Sequence, residues 1–306
     1  MEDILEFLKK EGIRKELLKE VEAFRTAHPV PEAYRKRIPV PRYLYYGKDI
    51  WEAAVTAVLA GENILLSGPK ATGKNVLAED LAVLFERPQF DISFHINTDA
   101  ASLLGMDSYA GGEVFLRKGP IYQCAEIGGF GILDEVNMAK NESLAVLHAV
   151  LDYRRVIDMP GYDRIRLNEA ARFIGTMNYG YAGTRELNEA LTSRFVVIDM
   201  PGLKEDGMIR LLQYEFPQLK REYAQQFAVL FEELQKKCDG GELSTRTLDV
   251  RGLLEAVRLM KYGLSCLQAL ELGIVNKTFD EYERRLVLDV LESRFPGDMN
   301  AAQLFE

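Results

Sequence analysis

A glycine-containing loop between an apolar run and a helical pattern carries the first residues whose types and spacing point to chemistry. Residues 63–84 read NILLSGPKATGKNVLAEDLAVL, in which apolar residues precede the loop and recur at helical spacing after it. A strand, a G-x-x-x-x-G-K loop and a helix in this order predict a phosphate-binding loop, with Lys74 reaching the β and γ oxygens. An ordinary strand-to-helix turn is the alternative. The residues that we predict to bind nucleotide here are Gly68, Pro69, Lys70, Ala71, Thr72, Gly73, Lys74, Asn75 and Val76.

Two carboxylates follow a second apolar run, in the segment GFGILDE at residues 129–135. We predict that Asp134 holds a magnesium ion and that Glu135, at the tip of the strand, orients or deprotonates an attacking water. An apolar run followed by Asp-Glu is common on its own. The prediction therefore depends on the phosphate-binding loop upstream.

Asn75 departs from the usual pattern, in which the residue after the lysine supplies a Ser or Thr hydroxyl to magnesium. A carboxamide can offer its carbonyl oxygen to the ion, but from a longer arm and with different geometry. Either Asn75 is still a metal ligand and turnover is tuned, or the subunit binds nucleotide tightly and hydrolyses it slowly. The intact pair of Asp134 and Glu135 favours the first interpretation.

Two further polar residues stand at the ends of candidate strands. Asn178 follows the apolar run FIGTM and could position the lytic water or sense the γ-phosphate, with a capping asparagine as the alternative. Arg194 precedes the strand pattern at 196–200 and could reach a nucleotide held by a neighbouring subunit. Arg185 is a weaker candidate for that role. The catalytic residues that we predict are therefore Glu135, Asn178 and Arg194.

Strand and helix patterns alternate up to residue 202, and this alternation favours an α/β core with a parallel sheet. Helices are predicted at 49–59 and 142–151, and two hairpins at 108–116 and 156–166. Besides the strand that leads into the loop and the one that ends in the carboxylates, strands are predicted at 90–96, 173–178 and 196–200.

The segments on either side of this core are predicted to be helical. Residues 4–24 have apolar positions at helical spacing, so that residues 1–42 form an arm that either caps its own domain or binds a partner. The core would span residues 43–202, and residues 203–306 would form an all-helical domain. Within it, Ser244 or Thr245 is a natural helix N-cap, which leaves Arg246 free for phosphate, although a surface salt bridge explains that arginine equally well. The four predicted helices are 208–214, 223–234, 248–260 and 282–291.

Composition narrows the classes of partner and compartment. The chain has 306 residues, enough for two domains, and a net charge of −9, which argues against non-specific binding to nucleic acid or to an anionic membrane. Its three cysteines lie far apart without metal-binding spacing, as expected of reduced thiols in a cytoplasmic protein. No apolar run approaches the ~20 residues that span a bilayer, so neither a signal peptide nor membrane insertion is expected.

The segments GPKATGKN, GILDEVN, GTMNYG, ALTSRF and STRTL, in this order, resemble those of an AAA+ ATPase. More narrowly, NTDAASLLG, SYAGGEVFLRKGP and GTRELNEALTSRF are similar to the MoxR branch, whose relatives assist assembly of methanol dehydrogenase, rubisco, nitric oxide reductase and gas vesicles. The resemblance implies a three-layer αβα core with a helical lid, usually in a six-membered ring that uses ATP and Mg²⁺.

The same resemblance implies a role for each candidate residue. Lys74 would bind the β and γ phosphates, and Asp134 and Glu135 would form the Walker B pair. Asn178 would be sensor 1 and Arg194 the arginine finger. The remaining assignment is sensor 2, for which Arg246 is the first choice and Arg251 lies nearby.

Three functions remain open at this point. The first is an ATPase ring that remodels or helps to assemble a protein client beside a partner with a von Willebrand A domain. A lone subunit of such a ring is expected to be nearly inactive. The second is a nucleotide-dependent subunit, using GTP or ATP, of a DNA-acting machine such as a modification-dependent restriction enzyme, for which Arg117-Lys118 and Arg154-Arg155 offer basic loops. The third is a passive, nucleotide-bound scaffold. The preference for ATP comes from the family likeness, because a phosphate-binding loop does not read the base.

Overall fold

The computed structural model describes residues 3–179, 187–297 and 299–306. By their internal contacts these residues form two compact units. The first unit comprises Met1–Pro69 and Gly73–Met200, and the second comprises Lys70–Thr72 and Pro201–Glu306.

A five-stranded parallel sheet lies at the centre of the first unit, with strand order β2-β5-β8-β1-β9. The strands of this sheet are β1 (Ile64–Gly68), β2 (Gln89–Ser93), β5 (Phe130–Asp134), β8 (Arg172–Asn178) and β9 (Val196–Asp199). Because the strands are parallel, the residues that follow their carboxyl ends meet at one edge of the sheet. The predicted α/β class is confirmed.

Helices cover both faces of this sheet, so the core has three layers. Along β1, Ile64 and Leu66 belong to one buried apolar cluster and Leu65 belongs to another, because successive side chains of a strand point to opposite faces. The first cluster is completed by α1 (Ile4–Lys10), α2 (Lys15–Ala27), α3 (Lys48–Leu59) and α4 (Lys74–Leu84). The helices on the other side are α5 (Ala100–Leu104), α6 (Pro120–Ile127), α7 (Asn141–Leu144), α8 (Leu147–Leu151) and α9 (Glu189–Thr192).

One predicted helix of the first unit is divided. The expected helix at 142–151 consists of α7 and α8, and Ala145 and Val146 lie between them. At the amino terminus, Phe7, Leu8 and Val21 of α1 and α2 are buried in the same cluster as α3 and α4. The apolar faces of these two helices therefore pack on the first unit.

Arginine side chains bind the carboxyl ends of several helices at the amino edge of the sheet. Arg172, which is buried, donates to the carbonyls of Val58 in the last turn of α3 (3.0 Å) and of Glu169 (2.6 Å). Arg87, also buried, donates to the carbonyls of His28 and Gly128, which follow α2 and α6. These guanidinium groups add donors to carbonyls at the ends of helices and oppose the negative ends of the helix dipoles.

Both predicted hairpins are confirmed, as antiparallel pairs outside the central sheet. Tyr162, between the strands of the second hairpin, donates its hydroxyl to Asp107 of the first at 2.5 Å. The first hairpin exposes Tyr109 and Val114. The four strands are β3 (Gly105–Ala110), β4 (Glu113–Lys118), β6 (Val156–Ile157) and β7 (Ile165–Arg166).

The second unit is helical in its described residues, as predicted for the carboxyl-terminal region. Its helices are α10 (Glu205–Glu215), α11 (Arg221–Asp239), α12 (Val250–Lys261), α13 (Cys266–Gly273), α14 (Glu281–Arg294) and α15 (Ala301–Leu304). The prediction that Ser244 or Thr245 caps a helix is wrong, because α12 begins at Val250 and Asp249 is its N-cap. Ser244 instead donates both its backbone N–H (2.8 Å) and its hydroxyl (2.9 Å) to the carboxylate of Glu283.

Candidate active site

The loop predicted to bind phosphate connects β1 to α4 at the carboxyl edge of the sheet. Gly73 has φ +83° and Ala71 has φ +66°, so the chain passes twice through the left-handed region before the helix begins. Gly68 must lack a side chain, because a Cβ there would lie 2.4 Å from the carbonyl oxygen of Met200. Leu77 donates to the carbonyl of Gly73 at 2.9 Å, so the N–H groups of the first turn precede the helical bonds and face the loop.

Lys74 is held at the mouth of this loop. Its Nζ donates to the carbonyls of Gly68 (3.0 Å) and Pro69 (2.7 Å), and the residue is buried. Burial lowers the pKa of the ammonium to about 8, against the opposing effect of the nearby Asp134 and Glu135 carboxylates. A bound phosphate oxygen would accept hydrogen bonds from this ammonium group, and its negative charge would favour the protonated form of Lys74.

The first carboxylate of the predicted pair is fixed by two donors. One oxygen of Asp134, Oδ1, accepts from the hydroxyl of Thr176 at 2.7 Å and from the amide of Asn75 at 3.0 Å. Thr176 is almost fully buried on β8, next to the end of β5. Asp134 is therefore oriented from both sides, and its second oxygen is left for a ligand.

The second carboxylate lies on a strained backbone. Glu135 has φ +53°, which is uncommon for a residue with a side chain, and its N–H donates to the hydroxyl of Thr176 at 3.1 Å. Asn178 donates from Nδ2 to Glu135 Oε1 at 3.5 Å, the longest contact of the cluster. Asn137 donates to the carbonyl of Asn178 at 3.0 Å. The backbone of Glu135 is thus held in place, and its exposed carboxylate lies next to the loop.

Five of the predicted residues come together at this edge of the sheet. Strand register explains why: Gly68 pairs with Asn178, and Leu133 pairs with Gly175, so the residues that follow β1, β5 and β8 are neighbours. The residues brought together are Lys74, Asn75, Asp134, Glu135 and Asn178.

Arg194 is not among them. It precedes β9, whose Val196 pairs with Ile64 at the start of β1, so it lies beyond the amino edge. At 3.3 Å per residue, the four steps from Ile64 to Gly68 place that edge ~13 Å from the loop along the strands. The guanidinium donates to the carbonyls of His148 (3.2 Å) and Ala190, within its own subunit.

The other candidate arginines lie elsewhere. Arg246 is exposed in the turn before α12 and Arg251 is exposed in the first turn of α12, both in the second unit. Arg185 lies outside the described residues.

A tyrosine covers the loop from the segment before α3. The ring of Tyr45 lies 3.1 Å from the position that a Cβ on Gly73 would take. Tyr45 donates its N–H to Asp80 Oδ2 (2.8 Å), and its carbonyl accepts from Nε1 of Trp51 (2.8 Å). Asp80 is fully buried on α4, its Oδ1 has no hydrogen-bond partner, and burial raises the pKa of its carboxyl to about 8.

Sequence reasoning assigned no role to Thr176 or Asp80. For Thr176 a signal existed, because it lies two positions before Asn178 on the same strand and therefore points to the same side of the sheet. For Asp80 the signal was a carboxylate within the apolar pattern of the loop helix, which is rare unless the carboxylate has a specific partner.

The donor set fits magnesium bound together with a nucleotide. Within residues 3–179, 187–297 and 299–306, no group of three or more His, Cys, Asp or Glu side chains could hold a metal by itself. The site offers Asp134 and the amide oxygen of Asn75. Magnesium commonly binds through one or two protein oxygens and completes its coordination with phosphate and water, so this small set is adequate.

Three of the four basic residues predicted for the DNA-acting alternative bind internal partners, and the fourth, Arg117, is exposed. Lys118 pairs with Glu126 at 2.7 Å, and Arg154 pairs with Asp152. Arg155 donates to the carbonyls of Asn168 and Ala171. In the described part of the chain, no helix is long and apolar enough to cross a membrane.

The sequence is similar to those of known proteins. Residues 63–195 match the family described as AAA domain (dynein-related subfamily). The protein YojN of Bacillus subtilis, which is described as uncharacterized, is 31% identical over 272 residues, covering 87% of this chain and 89% of YojN. An uncharacterized protein of Staphylococcus epidermidis is 32% identical over 256 residues, covering 81% and 96% of the two chains.

A solved structure named as a "putative ATPase" of Cytophaga hutchinsonii matches with 18% identity and a TM-score of 0.46, over 69% of this chain and 56% of that one. The family match covers the loop, both carboxylates, Asn178 and Arg194. The chain belongs to the AAA domain family, in its dynein-related subfamily.

Proposed function

We propose that this protein binds ATP with Mg²⁺, hydrolyses it in a ring of identical subunits, and uses the cycle to remodel or help assemble a protein client. The observation that carries the proposal is the cluster of Lys74, Asn75, Asp134, Glu135 and Asn178 at one edge of the sheet. Phosphoryl transfer requires a loop that holds the phosphates, a lysine, an oriented carboxylate and a base, and the last three are Lys74, Asp134 and Glu135.

Each group of the cluster has a role in this reaction. The N–H groups of the loop and of the first turn of α4 would hold the phosphates, and Lys74 would neutralise charge on the β and γ oxygens. Glu135 would orient the attacking water and accept its proton, while Asn178 would place the water or contact the γ-phosphate. Asp134 and Asn75 would hold Mg²⁺, which when bound supplies positive charge to the phosphates.

A neighbouring subunit would complete the site through Arg194. Arg194 lies beyond the amino edge of the sheet, which is ~13 Å along β1 from the loop of its own subunit, and this separation supports action in trans. A contact in which one subunit's loop meets the next subunit's arginine is head-to-tail, and such contacts generate rings when the rotation closes. The resemblance to the MoxR branch favours six subunits, and on the same basis Arg246 is proposed as sensor 2.

The client and partner are proposed from the family likeness together with one surface. The hairpin of β3 and β4 exposes apolar side chains on both of its faces, including Tyr109, Val114 and Phe115, which suits contact with a protein. A partner with a von Willebrand A domain would be a separate chain, and we propose a cytoplasmic location. A DNA-acting machine is less favoured, because Lys118, Arg154 and Arg155 are bound to internal partners.

Hydrolysis assayed at increasing protein concentration tests the enzyme and the ring together. We expect ATPase activity that needs Mg²⁺ and whose specific rate rises with protein concentration as subunits assemble. The reason is that an arginine finger from a neighbouring subunit can raise the rate of phosphoryl transfer by ~10³–10⁵. A specific rate independent of concentration, in a protein shown by light scattering to be monomeric throughout, would contradict the ring. Stimulation of hydrolysis by DNA would favour the alternative function.

Capture of the client needs a subunit that binds ATP without turning it over. Glu135→Gln keeps a similar shape but removes the base, so the ATP-bound ring should persist and retain its client. Lys74→Ala, which should not bind ATP, is the matched control. Recovery of the same proteins with both variants would argue against an ATP-dependent client.

A further inference from the structure

We propose that Asn75 makes nucleotide binding by this protein depend less on Mg²⁺ than a hydroxyl at the same position would. The inference rests on the proposed function, since it concerns the same loop. It adds a property of Asn75 itself. The amide nitrogen of Asn75 donates a hydrogen bond to Asp134, whereas only the amide oxygen could bind the ion, so the two interactions use different atoms.

The geometry around Asp134 fixes which way the amide faces. Asp134 Oδ1 accepts from Asn75 at 3.0 Å and from Thr176 at 2.7 Å. An ionised carboxylate can only accept hydrogen bonds, so the NH₂ group of Asn75 must face it. The carbonyl oxygen of the amide therefore points away from Asp134.

A serine or threonine hydroxyl would behave differently. Its single oxygen can donate its proton to the carboxylate and offer a lone pair to magnesium, so both bonds meet at one atom. In Asn75 the donor and the acceptor are separate atoms at the two ends of the amide. Magnesium requires near-ideal octahedral geometry and gives up water reluctantly, so a ligand offset in this way should hold it less well.

Without the ion, an amide at position 75 should favour nucleotide binding more than a hydroxyl would. The carboxylate of Asp134 lies beside the loop that would hold the phosphates, and two groups of negative charge repel each other. Asn75 is exposed, and its NH₂ group donates to the carboxylate of half-buried Asp134. The positive end of the amide dipole therefore offsets part of the negative charge of that carboxylate. Compared with a hydroxyl at this position, Asn75 should therefore make nucleotide binding without Mg²⁺ less unfavourable, and Mg²⁺ should add less to the affinity for nucleotide.

Both effects reduce the coupling free energy between Mg²⁺ and nucleotide. Coupling is reciprocal, so a weaker effect of Mg²⁺ on nucleotide affinity means an equally weaker effect of nucleotide on Mg²⁺ affinity. The quantity to compare is therefore the ratio of the nucleotide Kd in EDTA to the Kd in Mg²⁺.

Titration calorimetry of a non-hydrolysable ATP analogue, in EDTA and in Mg²⁺, measures this ratio without relying on turnover. We expect the ratio in the parent protein to be about tenfold smaller than in Asn75→Thr and Asn75→Ser. Asn141→Thr makes the same change at an exposed asparagine outside the cluster and should behave as the parent. Thermal unfolding of each variant verifies that it is folded.

Equal ratios in the parent and in both hydroxyl variants would overturn the inference while leaving nucleotide binding, and with it the proposed function, intact. A larger ratio in the parent would overturn it as well. If the folded parent binds no analogue in either condition, the proposed function itself fails and the inference falls with it.

Discussion

Arg194 and Lys74 lie beyond opposite ends of two neighbouring parallel strands, since Arg194 precedes β9 and Lys74 follows β1. The guanidinium of Arg194 is already held by the carbonyls of His148 and Ala190. It is therefore positioned on the surface of the first unit at a distance from its own loop. A single subunit presents the two halves of the proposed site on different edges.

Mixing two inactive variants should restore part of the activity if these halves meet between subunits. Lys74→Ala removes the loop lysine and Arg194→Ala removes the finger, so each protein alone should lose hydrolysis. In an equal mixture, about a quarter of the interfaces join an intact loop to an intact arginine, and roughly that share of the parent rate should return. The measurement is steady-state ATP hydrolysis after co-assembly.

An exposed arginine serves as the control for charge alone. Arg154→Ala, which loses only its contact with Asp152, should keep the parent rate with or without mixing. Absence of any recovery in the mixture of Lys74→Ala and Arg194→Ala, despite proven co-assembly, would contradict a site shared between subunits.

Thr176→Val should reduce turnover more than it reduces affinity. The hydroxyl donates to Asp134 and accepts from the N–H of Glu135. Its loss therefore releases the carboxylate of Asp134 and the strained backbone of Glu135. Loss of a group that orients a ligand typically costs ~10–100-fold in activity or metal affinity, and we expect a fall in kcat of that size. Thr176→Ser retains the hydroxyl and should recover most of the rate. A variant that loses thermal stability but keeps kcat would contradict this role.

Replacing Asp80 by Asn should remove a pH dependence of stability. Burial raises the pKa of Asp80 to about 8, so between its unfolded value near 3.8 and about 8 the folded state holds a proton that the unfolded state releases. The stability of the parent should therefore fall as the pH rises through this window, by up to ~1.4 kcal/mol per pH unit from this group, relative to Asp80→Asn.

Urea unfolding of both proteins at several pH values between 4 and 9 measures the difference. The asparagine can still accept the N–H of Tyr45, so the contact itself is retained. Parallel pH profiles in the two proteins would show that the carboxyl of Asp80 is ionised in the folded state, contrary to this expectation.

Arg172→Met should destabilise the first unit by about 3 kcal/mol. Methionine fills a similar volume but leaves the carbonyl of Glu169 without the guanidinium that bonds it. The carbonyls of Val58 and Ala171 each lose one donor and keep another, from Gly61 and Arg155 respectively. Arg154→Met, at an exposed site, is the matched control and should leave the unfolding midpoint unchanged. The measurement is chemical denaturation monitored by circular dichroism, and equal midpoints for all three proteins would contradict the role of Arg172.

The sequence was most informative where local patterns and chemistry coincided. The strand before the loop, the strand before Asp134 and the two hairpins have short-range signals, namely apolar runs and glycine or proline turns, and all are present. The meeting of Lys74, Asp134 and Asn178 followed from parallel strands ending at one edge.

Other features depend on contacts between distant segments, which a local pattern does not contain. The N-cap of α12 was misplaced because Ser244 binds Glu283, 39 positions away, instead of capping a helix. The bond from Asn75 to Asp134 joins residues 59 positions apart, and its direction depends on the second donor, Thr176. Asp80 could not be paired with Tyr45 because its partner is a backbone N–H, which has no sequence signature.

The contacts of Tyr45 also provide the protein with an optical reporter. Trp51 is the only tryptophan in the sequence, and its indole donates to the carbonyl of Tyr45, whose ring lies against Gly73 of the loop. A shift of the loop that moves Tyr45 would change the hydrogen bond and the packing of this buried indole. Intrinsic fluorescence, excited at the tryptophan band and free of background from any second indole, should therefore follow movements of the loop in the unlabelled protein.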